Sequence, residues 1–343
     1  MQMHPASSST PRPLFQSDGS QRWRSNLGDT WASAPAVAAG QVYALTGDTS
    51  SGRIWSIQAR TGSTTFQAPV PLTQGSPNGS AQPIIVGQKV YISYGGSSAE
   101  TKVLDAASGT VLWSVASGGD SGDPPAVDNQ RLYFFRPYWS RYTPGPGQGA
   151  GFTALDLSTG RTVFTIVKPP TPPTEGDIRF SGSSPVLTGN GRALVNRNSD
   201  FGSSLECIDL ESQTLAWEIE GRFHGVPTVV GDVFYIINDT QLEARGVADG
   251  HLLWSWSPSQ GIRESFNSAY ALSDIVATNN LVFFSTDEQV YALDVEKRSI
   301  VWSYPAPGRL SISASGILYI VRYSRDLSIS LRPEGKVAAI NLH

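Results

Sequence analysis

The chain has 343 residues, of which 39% are hydrophobic and 16% charged. Its formal net charge of −4 argues against wrapping the phosphate backbone of a nucleic acid. No run of about 18 apolar residues occurs, so no segment reads as a membrane-spanning helix, and the one cysteine, Cys207, rules out an internal disulfide and any Cys-based metal motif.

Residues 1–13, "MQMHPASSSTPRP", read as a disordered leader, without the apolar core of a signal peptide. From residue 14 onward Val, Ile, Tyr, Phe and Trp fall in short runs between turn residues, and no long amphipathic helical pattern interrupts them. "SDGSQRWRSN" (17–26) predicts one strand around Trp23. "SAPAVAAGQVYALT" (33–46) predicts two strands about a tight turn, and a further strand carries Phe66. The pattern returns at "QPIIVGQKVYISY" (82–94), "DPPAVDNQRLYFF" (123–135) and "GVPTVVGDVFYII" (225–237). Between these pairs lie strand–turn–strand phrases: "LDAASGTVLW" (104–113), "LDLSTGRTVF" (155–164), "IDLESQTLAW" (208–217) and "LDVEKRSIVW" (293–302). The chain closes on "VAAINLH" (337–343), a third strand with no fourth after it.

Aligned on the aromatic that ends each phrase, the anchors are Trp23, Phe66, Trp113, Phe164, Trp217, Trp254 and Trp302, spaced by 37 to 53 residues. Repeats of this length, each holding four short strands, predict the blades of a β-propeller. The strand around Trp23 is a fourth strand lacking its first three. Joined to 337–343 it completes one blade. The expected fold is therefore all-β: a single seven-bladed propeller over 14–343, with four-stranded antiparallel blades and closure through a blade shared between the termini. Such closure leaves no free sheet edge.

The phrase "Val-Tyr … Leu-Asp-x-x-(Thr/Ser)-Gly-x-x-x-Trp" resembles the pyrroloquinoline-quinone-type propeller repeat over nearly the whole chain. Asp105, Asp156, Asp209 and Asp294 keep the repeat's aspartate. Gln58 and Gly246 stand in its place elsewhere, and Gln213 and Arg298 replace the turn glycine. The resemblance implies architecture rather than chemistry, because quinone dehydrogenases and non-catalytic propellers share it. Its extracytoplasmic members imply a periplasmic or secreted location.

In a four-stranded blade, one face of the disc carries the loops between second and third strands and those leading to the next blade. The other face carries the remaining two turns. Here the latter are short ("VGQ", "VDNQ", "GNG", "VGD", "TNN", "AASG"), while every long insertion falls on the former: 136–151, 168–180, 196–204, 258–272 and 322–335. Long loops on a rigid scaffold are where binding and catalysis concentrate. Residues just before each innermost strand would ring the mouth of a central channel. They include Asp29 and Trp31, Gln74 and Asn78, Asp120 and Asp123, Arg179 and Phe180, Arg222, Phe223 and His224, Arg263, Glu264, Phe266 and Asn267, and Arg309.

Converging guanidinium groups suit a carboxylate or phosphate, and phenylalanine rings suit a planar ligand. The alternative is that the arginines pair with Asp120, Asp123 and Glu264 and only tie blades together. His224 is the one histidine of this belt, a candidate general base tuned by Glu264 or Asp123; the alternative is a hydrogen-bonded loop histidine. The insertion "RPYWSRYTPGPGQG" presents Tyr138, Trp139 and Tyr142 beside Arg136 and Arg141. It reads as a lid or a protein contact, or as a loop folded onto its own blade.

No nucleophile elbow, phosphate loop or zinc-protease motif is present, and neither cofactor nor metal is assigned. Asp120 and Asp123 near Asp177 or Glu264 would suit Ca²⁺, a pattern common in loops. The expected function is binding of an anionic or planar small molecule, or a protein segment, at the long-loop face. The alternative is a cofactor-independent cyclase, isomerase or lyase using His224 and Glu264 at the same mouth. A quinone-dependent dehydrogenase ranks below it, since the adjacent cysteine pair many carry is absent, and a polysaccharide-directed propeller ranks last.

Overall fold

A computed structural model describes residues 31–32, 36–47, 52–70, 83–94, 100–116, 125–136, 138–140, 151–167, 178–199, 202–257, 275–286, 288–305, 309–312, 316–323 and 335–342. Among them every regular element is a strand, and every pairing is antiparallel. The strands form seven sheets in chain order. Six carry a meander of four strands, and the last holds three: Arg309–Ile312, Ile317–Tyr323 and Gly335–Asn341. The segment 17–26, expected to supply its fourth strand, lies outside the described residues.

Six apolar cores join these sheets in sequence, each shared by two neighbours. Tyr43, Leu45 and Ile54 of the first sheet meet Val90, Ile92 and Leu104 of the second. Leu194, Leu205 and Cys207 of the fourth meet Phe223, Phe234 and Ile236 of the fifth. The inner sheets are thus covered on both faces. This is why their second and third strands read as nearly continuous apolar runs rather than as alternation. Cys207 is fully buried, and burial pushes its thiol up to about 11, which makes it a small packing residue as expected.

The repeated phrase has a physical explanation at each step. Asp105 Oδ1 accepts the amide hydrogens of Ala107 and Ser108 at 3.0 and 2.9 Å. Asp156, Asp209 and Asp294 cap their turns in the same way. The turn then needs a left-handed residue, supplied by Gly109 at φ 72° and Gly160 at φ 69°. Space demands glycine as well: a Cβ on Gly109 would lie 2.6 Å from the Phe66 ring, and one on Gly160 would lie 3.0 Å from Trp113. Phe66, Trp113, Trp217 and Trp254 each lie across the turn of the following sheet. The indole N–H of Trp113 donates to the Leu157 carbonyl at 3.2 Å, and that of Trp217 to the Val247 carbonyl at 3.1 Å.

The exceptions obey the same geometry. Gln213 and Arg298 take φ of 59° and 53°. Arg298 sets its guanidinium 5.9 Å from the Trp254 ring centre, a cation–π contact with the anchor. In six sheets the pairing of third and fourth strands slips by one residue just before the anchor, as between Val103 and Leu104. The bulge twists the edge strand and blunts it against pairing with other chains.

At the opposite end the sheets diverge. In the first sheet Trp31–Ala32 and Ala36–Ala38 pair with the second strand in registers one residue apart, and the first strand of the fourth is split into Ile178–Gly182 and Val186–Leu187. The insertion after the third sheet's second strand contributes Tyr138–Ser140, which pairs with Ile178–Gly182 of the fourth sheet. The alternative of a loop folded onto its own blade is therefore corrected: over these residues the insertion adds a strand to its neighbour. The backbone amides and carbonyls of Ile178–Gly182 provide the free ladder edge that makes this possible.

Candidate functional site

Where the fourth sheet hands over to the fifth, Gly221–Gly225 is the best-tied stretch among the candidates. The Arg222 amide donates to Asn238 Oδ1 at 2.9 Å, and its carbonyl accepts from the Asp239 amide at 2.8 Å. The Phe223 amide donates to Ser203 Oγ at 2.8 Å, and that hydroxyl donates to the Gly221 carbonyl at 2.6 Å. Asn196 Nδ2, from the fourth sheet, donates to the Phe223 and Gly225 carbonyls at 3.0 and 3.4 Å.

Behind this segment, Asn238 Nδ2 donates to Glu243 Oε1 at 3.0 Å, and Glu243 Oε2 pairs with Arg245 Nε at 2.7 Å. The Arg245 guanidinium lies 5.9 Å from the centre of the Phe223 ring and donates to the Gly250 carbonyl at 2.8 Å. Gly225, at φ 74°, sits in a slip of register between His224 and Thr228. The strand is thus re-aimed at this point, as bulges near binding surfaces do.

The sequence reading placed these residues in a loop before the innermost strand. Instead Phe223 and His224 open the strand Phe223–Val230 and pair with Asn238 and Ile237. Phe223 is only 1% exposed, and its ring belongs to the core shared with the fourth sheet. Its expected role in stacking on a ligand is therefore corrected to packing: Cα–Cβ alternation turns it inward. Arg222 is exposed and His224 half-buried, and among the described residues no carboxylate pairs with Arg222.

Trp31, Arg179, Phe180 and Arg309 likewise lie within strands, with Trp31 opposite Gly47 and Arg309 opposite Val321. The inserted strand sets Tyr138 opposite Phe180 and Trp139 opposite Arg179, so four candidates from two distant stretches share one ladder. Asp123, Tyr142, Arg263, Glu264, Phe266 and Asn267 lie outside the described residues, as do Asp29, Asp120 and Asp177.

Sequence reasoning missed Asn196, Ser203, Asn238, Glu243 and Arg245, which hold this segment from buried or half-buried positions. One signal was legible. Asn196 is the fifth residue of its sheet's second strand, where the other sheets carry Leu45, Ser93, Phe135, Ile237, Ser285 and Val321. Arg197 was also missed. It is held by Glu206 at 2.7 Å and Glu218 at 3.1 Å, so it ties together three strands of the fourth sheet.

At the short-turn end a groove of about 660 Å³ opens between the second and third sheets, lined in part by Lys89, Asp128, Arg131, Asp156 and Val163. Its charged residues Lys89, Asp128 and Arg131 are already engaged. Asp128 accepts from the Gln130 and Arg131 amides, Lys89 donates to the Leu157 carbonyl and Arg131 to the Leu210 carbonyl. Among the described residues no three His, Cys, Asp or Glu side chains gather as metal ligands, and no helix is long and apolar enough to cross a membrane.

Known proteins relate to this arrangement at the level of fold. No curated protein sequence matches the chain. BamB from Moraxella catarrhalis superimposes with a TM-score of 0.59 over 87% of this chain and 84% of that one, at 17% identity. Quinohemoprotein alcohol dehydrogenase from Comamonas testosteroni gives 0.58 over 86% of this chain and 66% of its own, at 12% identity. A europium-containing methanol dehydrogenase gives 0.55 over 85% and 72%, at 11% identity. The family model described as outer membrane protein assembly factor BamB, a PQQ-like repeat model, matches residues 13–103, 95–204 and 202–343. Matched along nearly its whole length, the chain belongs to this BamB-type family of PQQ-like repeat propellers.

Proposed function

We propose that this chain is a binding propeller that takes an anionic group of a protein segment at its long-loop face. The observation that carries the reading is the Arg222 tip. An exposed guanidinium with no carboxylate partner among the described residues stands on backbone whose amide and carbonyl are both tied. The tied backbone spares the cost of ordering the segment on binding, and the planar fork of arginine matches a carboxylate with paired donors. The ladder that sets Trp139 opposite Arg179 adds aromatic and cationic residue types of the kind that anchor interfaces. The family's name, an outer membrane protein assembly factor, favours a protein partner over a metabolite and a periplasmic or secreted setting.

In the same reading the three-stranded last sheet is completed by 17–26, which makes seven blades and closes the disc. Deleting residues 1–26 is expected to lower the thermal midpoint by at least about 10 °C, because an exposed sheet edge and an unfilled core replace a blade.

The test of function is co-purification from the native host, followed by native mass spectrometry. A polypeptide that accompanies the wild-type chain and is lost at least tenfold from Arg222→Ala/Arg263→Ala, with an unchanged thermal midpoint, is the expected result. A partner retained by that variant sinks the reading. A bound species of a few hundred daltons, lost in the variant, would turn it toward a small-molecule site and the lyase-type alternative.

A further inference from the structure

We infer that Asn196 is a positioning residue for the Arg222–His224 tip, acting from the fourth sheet on the fifth. The inference rests on the proposed binding role of that tip, and adds the residue that sets its pose. Asn196 is 1% exposed, and its Nδ2 donates to the carbonyls of Phe223 and Gly225, the two residues that flank His224. One amide thus bridges the point where the strand slips register and where Gly225 turns left-handed.

Its own backbone is fixed in turn. The Ser183 amide donates to the Asn196 carbonyl at 2.7 Å, and the Asn196 amide donates to Ser183 Oγ at 3.1 Å. The split first strand of the fourth sheet, the asparagine and the bulge of the fifth sheet therefore form one rigid line across a sheet boundary.

A packing role alone does not account for this residue. Asn196 Oδ1 is buried and has no hydrogen-bond partner among the described residues. A buried acceptor left unmade is unfavourable. Leucine would fill the same space without that cost, as Leu45 does at the same strand position in the first sheet. What the amide adds over leucine is its pair of donors, and both point at the backbone that carries His224. Without them, the bulge keeps its glycine but loses the bonds that choose one arrangement of the Phe223–Gly225 peptides.

The experiment uses the full chain with inorganic phosphate as anion probe at constant ionic strength. It follows the His224 ring resonance, assigned with His224→Gln, and amide exchange at Gly225 and Val226. The variants are Asn196→Leu and, as a control in the same core without polar contacts, Leu205→Ala. In Asn196→Leu, exchange at Gly225 and Val226 is expected to rise at least tenfold and the phosphate response to weaken at least tenfold. Leu205→Ala lowers the melting temperature comparably yet keeps both within twofold. Should Asn196→Leu fail to fold, Asn196→Ser, which retains one donor, carries the test with intermediate effects.

Unchanged exchange and phosphate response in the Asn196 variants overturn the inference, as does an equal loss in Leu205→Ala. If wild type shows no phosphate response while exchange still rises in Asn196→Leu, the positioning stands as a backbone effect and the anion site fails.

Discussion

The two ends of the sheets are built from the same strands and follow different rules. At the end where third strand turns into fourth, the layout repeats from sheet to sheet: a capping aspartate in four turns, a left-handed residue and an anchor aromatic laid across the next turn. Its polar groups are consumed in holding neighbours together. At the other end the described sheets differ in their first strands and in what pairs with them. Strands split, an insertion adds a strand to the next sheet, and side-chain amides and hydroxyls replace ladder bonds. Repetition marks where the fold is secured, and its breakdown marks where side chains are released for other work.

The largest expected effect breaks the repeating end. Gly109→Val forces a β-branched residue into a left-handed conformation and drives a Cβ into the Phe66 ring, for a loss of about 4 kcal/mol in urea unfolding. Gln213 occupies the equivalent place without glycine, so Gln213→Gly should stabilise by about 1 kcal/mol by relieving left-handed strain. Similar losses from both would show that the turn glycine has no special part in sheet-to-sheet packing.

This contrast explains what was legible in the sequence. The anchors and capping aspartates recur because local turn chemistry and one inter-sheet contact dictate them, so strand order and sheet pairing could be read from the phrase. The site is dictated by contacts between distant segments. That Asn196 reaches Phe223, or that Trp139 falls opposite Arg179, depends on how one sheet leans on the next, and no spacing rule encodes it. Phe223 illustrates the failure. As a residue next to an arginine it looked like a ligand platform, yet strand alternation and the apolar face of the fourth sheet take it into the core.

A smaller effect tests the inter-sheet stitch itself. Trp113→Phe keeps a ring over Gly160 but deletes the bond to the Leu157 carbonyl, and should lose about 1 kcal/mol.

The capping aspartates predict an acid dependence of the same end. Hydrogen bonds from Ser158 and Thr159 hold the Asp156 carboxyl down at about 2, and those from Ser108, Ser212 and Lys297 lower Asp105, Asp209 and Asp294. A carboxyl held below its unfolded value binds protons less readily in the folded state. Its contribution is therefore complete above about pH 4, declines as pH falls, and for Asp156 is gone below its folded value of about 2. Thermal midpoints measured from pH 7 to pH 2 should fall over the lower half of that range. Asp156→Asn, which keeps an acceptor for the turn but cannot titrate, should flatten part of the fall. An unchanged slope would mean that these turns do not govern acid stability.

The smallest expected effect belongs to the diverged end. Arg222→Ala should change unfolding free energy by less than about 0.5 kcal/mol, because the side chain is exposed and the segment is held through its backbone. Asn238→Ala, one residue-contact away, removes the acceptor of the Arg222 amide and the donor to Glu243, and should lose about 2 kcal/mol. The pair separates presenting a charge from holding the platform that presents it. If Arg222→Ala is as destabilising as Asn238→Ala, the guanidinium belongs to the scaffold, and the diverged end differs from the repeating end in layout but not in purpose.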